Sequence, residues 1–175
     1  MHRSVVPILL VIVILSACAT ATKPPLMPTV TPEPTSTPKP DCAADTPPDF
    51  ADYAAWTKVN PAPIKGHEVY VNIFVNDLAK DIYLSASGET LPICSMIVKT
   101  HLESANSENI TAITVMVKMH PGYDPVNNDW WSGMYDRDGK VAEMTGKVPV
   151  CIACHKPAAS TDYVFSQKVM EESAQ

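Results

Sequence analysis

The chain has 175 residues, enough for one domain of ordinary size and a tail. Its formal net charge of −6 argues against a nucleic-acid-binding surface, because such surfaces are rich in Lys and Arg. Hydrophobic residues make up 46% of the chain, so a sizeable core can form.

The first residues have the pattern of an export signal. Arg3 precedes an apolar run, residues 5–15, that is shorter than the roughly 20 residues of a membrane-spanning helix. Small residues then lead to Cys18, as in the bacterial lipobox, where cleavage precedes a cysteine that becomes lipidated. We predict a lipoprotein signal peptide over residues 1–17, lipidation of Cys18, and an extracytoplasmic protein of the cell envelope anchored to a membrane. The alternative is an ordinary secretory signal with an incidental cysteine.

Residues 18–48 are predicted to combine the lipidated cysteine with a linker. Nine of the 17 prolines lie between residues 19 and 48, with threonines among them. Such a composition cannot bury much apolar surface and favours an extended backbone. The linker would hold a domain formed by residues 49–175 away from the membrane.

The rest of the chain alternates between helical and strand patterns and predicts an α+β domain. A short amphipathic helix, ended by Pro61 and Pro63, is predicted from the helical spacing of Phe50, Tyr53, Trp56 and Thr57. Alternating apolar residues predict a strand over residues 67–75, and Asn76 is placed to cap a helix that reaches about Ala86. Further strands are predicted over residues 94–101, 110–119, 130–135 and 140–148. The expected fold is an antiparallel sheet of four or five strands with a few helices.

The most specific motif is Val150-Cys151-Ile152-Ala153-Cys154-His155. Two thiols at this spacing can bond to the two vinyl groups of one haem, and the adjoining His155 then becomes an axial ligand of the iron. We therefore predict one covalent haem c. A thioredoxin-like redox pair would need a βαβ context, and a zinc site would need a second ligand pair; the sequence contains neither.

The ligand on the other side of the iron is left open by the sequence. Met or a second His there is typical of an electron carrier, whereas an open position binds small molecules. The candidates in the domain are Met96, Met116, Met119, Met134, Met144, His67, His101 and His120.

Two cysteines are left over once Cys18 is assigned to lipid and the CxxCH pair to haem. They are Cys42 and Cys94, an even number in an exported chain. A disulfide between them is predicted, and two separate thiols are the alternative.

The domain resembles the cytochrome P460 and cytochrome c'-beta family over residues 68–165. The matching segments keep their order, and CxxCH is the one specific motif among them. They are Val69-Tyr70-Val71-Asn72, Val75-Asn76-Asp77-Leu78-Ala79, Met96-Ile97-Val98-Lys99, Val115-Met116-Val117-Lys118, Gly122-Tyr123-Asp124-Pro125, Asp129-Trp130-Trp131, the CxxCH segment and Asp162-Tyr163-Val164-Phe165. Where the family often has Phe-Pro-Asp-Gly, this chain has Leu91-Pro92-Ile93-Cys94.

The resemblance implies a homodimer built on an antiparallel sheet, with one five-coordinate haem per chain and His155 as the proximal ligand. P460 members join a lysine to the porphyrin and oxidise hydroxylamine, with a carboxylate shortly before CxxCH as proton relay. The c'-beta members lack that bond and bind NO and CO. Here Lys99 is the better crosslink candidate and Lys118 the weaker one; an ordinary strand lysine is the alternative. Residues 145–150 contain no carboxylate, and Glu143 is the nearest relay candidate.

Four aromatic residues flank the motif and are candidates for packing against the haem: Trp130, Trp131, Tyr163 and Phe165. The preferred function is a lipid-anchored monohaem cytochrome that binds a small ligand such as NO at an open site. Two other functions stay open: hydroxylamine oxidation with a Lys99–haem crosslink, and electron transfer to a redox partner protein with Met or His as sixth ligand.

Overall fold

The structure is a computed structural model that describes residues 41–174. The predicted signal peptide, Cys18 and the predicted linker up to residue 40 lie outside the described residues. Residues 41–174 all belong to one compact unit. Among residues 41–174, no helix combines the length and the apolar character needed to cross a bilayer.

One antiparallel sheet forms the centre of the described part. Its seven strands are β1 (Thr57–Lys58), β2 (Ile64–Gly66), β3 (Val69–Val75), β4 (Met96–Leu102), β5 (Ile110–Lys118), β6 (Trp130–Asp136) and β7 (Ala142–Gly146). They are ordered β1-β3-β4-β5-β6-β7, and β2 pairs with β3. The predicted α+β class and antiparallel sheet are confirmed. The two strands beyond the predicted five are the short β1 and β2, of two and three residues.

Three helices complete the domain: α1 (Asp77–Ser85), α2 (Pro149–His155) and α3 (Ser166–Ser173). The predicted cap of α1 is present, because Asn76 Oδ1 accepts a hydrogen bond from the Ala79 amide at 3.2 Å. The same side chain accepts from the Met96 amide and donates to the Cys94 carbonyl, at 3.0 and 2.8 Å. Asn76 therefore fixes the start of α1 against the start of β4.

The amphipathic helix predicted between Phe50 and Pro61 is wrong. The structure has only a single 3-10 turn there, Tyr53–Ala55, followed directly by β1. The ring of Phe50 packs on Tyr135 with centroids 4.9 Å apart, and Tyr53 packs on Phe74 at 5.4 Å. These contacts and the pairing of β1 with β3 outweigh the helical spacing of the aromatic residues.

The strand predicted from residue 67 starts at Val69 instead. His67 and Glu68 form the turn between β2 and β3, with φ angles of 53° and 63°. A two-residue hairpin turn of type I′ requires positive φ at both positions, which is usually supplied by Asn and Gly. The sequence therefore did not reveal this turn.

Residues 41–48, assigned to the linker from sequence, are part of the folded unit. A disulfide joins Cys42 to Cys94, and both cysteines are buried. Cys94 has φ 67°, a left-handed conformation that glycine adopts most easily. The disulfide attaches the segment before the first turn to the sheet.

Side chains alternate along each strand, so the sheet has two faces, and both are covered by other parts of the domain. The inner face carries Val71, Ile73 and Ile97 and packs against α1 and α3. The outer face carries Met96, Val98, Val115, Val117 and Trp131 and packs against Cys42 and the aromatic residues of the N-terminal segment. The predicted alternation in β4, with residues 97, 99 and 101 on one face, is confirmed.

Candidate haem-binding site

A cavity of about 570 Å³ lies between α2 and the inner face of the sheet. Its walls are mostly apolar, and its volume falls within the range of about 300–1,000 Å³ that is usual for cofactor and ligand sites. The lining residues are His67, Glu68, Ile97, Lys99, His101, Thr114, Val115, Met116, Ser132, Gly133, Met134, Met144, Val150, Cys151, Cys154 and His155.

Helix α2 presents the whole CxxCH motif to this cavity. Cys151, Cys154 and His155 stand at positions i, i+3 and i+4 of one helix, so they share one helical face. Both cysteines are free; Cys151 is half-buried and Cys154 is exposed. Burial raises the pKa of the Cys151 thiol, and a hydrogen bond with Ser132 acts in the opposite direction. Two thiols and an imidazole thus line one wall of one cavity.

His155 is buried, and a hydrogen bond fixes the state of its ring. Its Nδ1 lies 2.7 Å from the backbone oxygen of Tyr163, and since a carbonyl oxygen only accepts, Nδ1 carries the hydrogen. Burial, assisted by the charge of Lys99, lowers the pKa of His155 to about 4. The imidazole is therefore neutral at pH 7, with a lone pair on Nε2. That is the form in which histidine binds a metal.

The side of the cavity formed by β4 and the β2–β3 turn carries basic groups. Burial lowers the pKa of Lys99 to about 8. His101 Nε2 lies 3.3 Å from both His67 Nδ1 and Thr114 Oγ1. Burial, followed by the charge of Lys99, lowers the pKa of both histidines, that of His67 to about 3. These histidines are neutral, and Lys99 is the one lysine at the cavity among residues 41–174.

The structure does not bring the flanking aromatic side chains to the cavity wall. Trp130 is buried in the core of the inner face, and its Nε1 donates to the Asp162 carbonyl at 2.8 Å. Trp131 points to the outer face, because neighbouring strand residues alternate. Tyr163 contributes its backbone oxygen, while its side chain packs in the inner core. Phe165 packs on the His155 ring, 5.5 Å between centroids, outside the main cavity.

The relay candidate Glu143 is also absent from the cavity. Its neighbour Met144 lines the cavity, so the exposed Glu143 faces the other side of β7. The weaker crosslink candidate, Lys118, is buried elsewhere, with its Nζ 2.5 Å from Asp162 Oδ1.

The candidates for the sixth ligand divide between the cavity and the rest of the domain. Met116, Met134, Met144, His67 and His101 line the cavity. Met96 and Met119 lie in the core of the outer face. His120 is on a loop, 3.0 Å from Asp45.

Sequence reasoning missed the environment of Asp162. This carboxylate accepts hydrogen bonds from Lys118, Asn128, Trp130 and the Leu91 amide. The partners lie up to 71 residues away along the chain. No local pattern in the sequence could have indicated that these residues contact Asp162.

The cavity fits a haem. Its apolar walls suit a porphyrin, and the free Nε2 of a neutral, buried histidine suits the iron. A sheet domain with such a cavity beside a CxxCH helix defines a class of haem proteins distinct from the small all-helical cytochromes.

Comparison with known families identifies the chain within that class. Residues 50–166 match the family model of cytochrome P460. The match covers more than half of the chain, so the chain belongs to the cytochrome P460 family, whose members are haem-binding cytochromes. A search among curated proteins found no match.

Proposed function

We propose that this protein is a lipid-anchored, extracytoplasmic, monohaem c-type cytochrome that binds a small ligand such as NO. The anchor rests on the sequence around Cys18. The observation that carries the haem assignment is the shared face of α2, which turns both thiols and His155 toward one apolar cavity. Cys151 and Cys154 would hold the haem by thioether bonds, and His155 Nε2 would hold the iron. When bound, the haem would supply an iron that can bind a ligand or accept an electron.

An open sixth position is supported by how the cavity histidines are engaged. His101 Nε2 is held by Thr114 and His67. The His67 ring packs edge-on against His155, 6.2 Å between centroids, so it lies beside the proposed proximal ligand. His101 Nε2 is therefore engaged, and His67 lies on the His155 side of the cavity.

The cavity wall favours a neutral ligand. Ile97, Met116 and Met134 offer it apolar surface, which excludes water and gives an anion little solvation. Lys99 places a positive charge on the β4 side of the cavity, so this preference belongs to the apolar part of the wall around Met116 and Met134. A neutral diatomic molecule suits such a wall.

A second function is favoured by one observation, the placement of Lys99 in the cavity. Its pKa of about 8 leaves more of the amine unprotonated at neutral pH than in an ordinary lysine, and an unprotonated amine is the nucleophilic form. A Lys99–haem crosslink would make the protein a hydroxylamine-oxidising P460 enzyme. The position of Glu143 outside the cavity weighs against this, because a proton relay must come within hydrogen-bond reach of its substrate.

The absorption spectrum of the reduced protein and the mass of the peptide that contains Lys99 separate these functions. The proposal predicts a high-spin, five-coordinate spectrum that changes on adding NO or CO, with no added mass at Lys99. A strongly red-shifted Soret band with a haem-derived mass on the Lys99 peptide would favour the enzyme, and Lys99→Arg should then remove both signals. A low-spin, six-coordinate spectrum would contradict the first two functions and favour an electron carrier. Replacing Met116, Met134 and Met144 singly by Leu would then identify a methionine ligand. The homodimer and the redox partner stay predictions.

A further inference from the structure

Asp162 is a buried carboxylate that joins three separate parts of the fold. Its Oδ1 accepts hydrogen bonds from Lys118 at 2.5 Å, Asn128 at 3.1 Å and Trp130 at 3.3 Å. Its Oδ2 accepts from the Leu91 amide at 2.9 Å. Lys118 ends β5, Trp130 begins β6, and Leu91 precedes β4. The carboxylate therefore links the turn at residues 162–163 to β5, to β6 and to the segment before β4.

The turn that carries this carboxylate has a strained backbone. Asp162 and Tyr163 have φ angles of 55° and 62°, in the left-handed region. Aspartate tolerates this region, but a tyrosine there is disfavoured, so outside contacts must maintain it. Besides the side-chain bonds, Trp130 Nε1 donates to the Asp162 carbonyl at 2.8 Å, and the Tyr163 amide donates to Ala158 at 2.7 Å.

The same turn supplies the acceptor for His155. The carbonyl oxygen of Tyr163, the residue after Asp162, accepts a hydrogen bond from His155 Nδ1, with 2.7 Å between the nitrogen and the oxygen. The direction of that carbonyl is set by the backbone of the turn. We propose that Asp162, clamped by Lys118, is a positioning residue whose buried carboxylate fixes the Tyr163 carbonyl against His155 and so sets the strength of the bond from His155 to the haem iron.

This inference rests on the proposed function, because it needs His155 as the iron ligand. A hydrogen bond donated by Nδ1–H to a carbonyl makes the imidazole more basic, and a more basic imidazole donates more strongly to iron. Loosening the turn should weaken the hydrogen bond from His155 Nδ1 to Tyr163, and with it the bond from His155 to the iron. The iron–histidine vibration of the reduced holoprotein should then move to lower frequency, and its reduction potential should rise.

The test is resonance Raman spectroscopy and redox titration of the reduced full-length holoprotein. Asp162→Asn keeps the shape and removes the charge that holds Lys118. The double variant Asp162→Asn/Lys118→Met removes both charges, in case the single variant does not fold. Asn76→Ala is the matched control, because it deletes three buried hydrogen bonds that do not involve residues 155–163.

The expected result is a lower iron–histidine frequency and a raised potential in a folded Asp162 variant, with both values unchanged in Asn76→Ala. Wild-type values in a folded Asp162 variant would overturn the inference. Equal shifts in the control would also overturn it, since general loosening would then explain them. Loss of folding in both Asp162 variants would mark the pair as merely structural. Absence of the vibration from the wild-type protein would instead remove the proposed function, and this inference with it.

Discussion

The disulfide between Cys42 and Cys94 closes a loop with a sequence separation of 52 residues. In the chain-entropy description, a loop of this length contributes about 4 kcal/mol to the free energy of unfolding, because the crosslink restricts the unfolded chain. The structure adds a packing contribution, since both sulfurs are buried in the core of the outer face. Cys42→Ala should therefore lower the free energy of unfolding by about 4–5 kcal/mol, the crosslink being the larger part.

Denaturant unfolding of the full chain separates the crosslink from the packing. The single variant Cys42→Ala loses the crosslink and one sulfur, whereas Cys42→Ala/Cys94→Ala loses the crosslink and both. We expect the second substitution to add no more than about 1 kcal/mol to the loss. Wild-type protein treated with reductant should behave like the single variant. A loss below about 1 kcal/mol in the single variant would refute the reasoning, since it would mean that the crosslink does not stabilise the fold.

Three further predictions concern the sheet and its buried charges. Lys118→Met leaves the buried Asp162 carboxylate without its charged partner and should lower the free energy of unfolding, measured with denaturant, by about 3–5 kcal/mol. The exposed control Lys168→Met should lower it by about 0.5 kcal/mol or less, and equal losses in the two variants would contradict the prediction. Gly133→Ala places a Cβ 2.5 Å from the buried Trp131 ring and should lower the free energy of unfolding by about 1–3 kcal/mol. An unchanged denaturant midpoint would contradict the close packing of Gly133 against Trp131. The pKa of Lys99 falls from 10.5 to about 8 on folding, so the unfolded chain binds more protons between these pH values and stability rises with pH there. Lys99→Met should abolish that rise, and an identical pH profile would disprove it.

Local patterns in the sequence accounted for the elements that position the site. Alternation in β4 placed Ile97, Lys99 and His101 on one face, and that face lines the cavity. Asn76 was recognisable as a helix cap because its side chain and spacing suffice to form one. The i, i+3, i+4 arrangement within CxxCH explains why α2 turns the motif toward a single wall.

Features that depend on distant partners could not be predicted. The aromatic spacing around Tyr53 fitted a helix, but packing against the sheet decided the conformation. The Trp130–Trp131 pair could be placed on alternating faces, yet only the fold shows that neither face brings an indole to the cavity. Asp162 and Lys118 are 44 residues apart, and aspartate and lysine are residue types that are usually exposed, so neither indicated a buried ion pair.

Intact mass measurement of the purified protein under denaturing conditions tests the covalent haem most directly. We predict that one haem stays attached to the chain in acid and organic solvent, and that Cys151→Ala/Cys154→Ala releases it. The variant His155→Ala should retain the covalent haem and lose normal proximal ligation. A chain of unmodified mass, with all of its haem extractable by solvent, would contradict the assignment of Cys151 and Cys154.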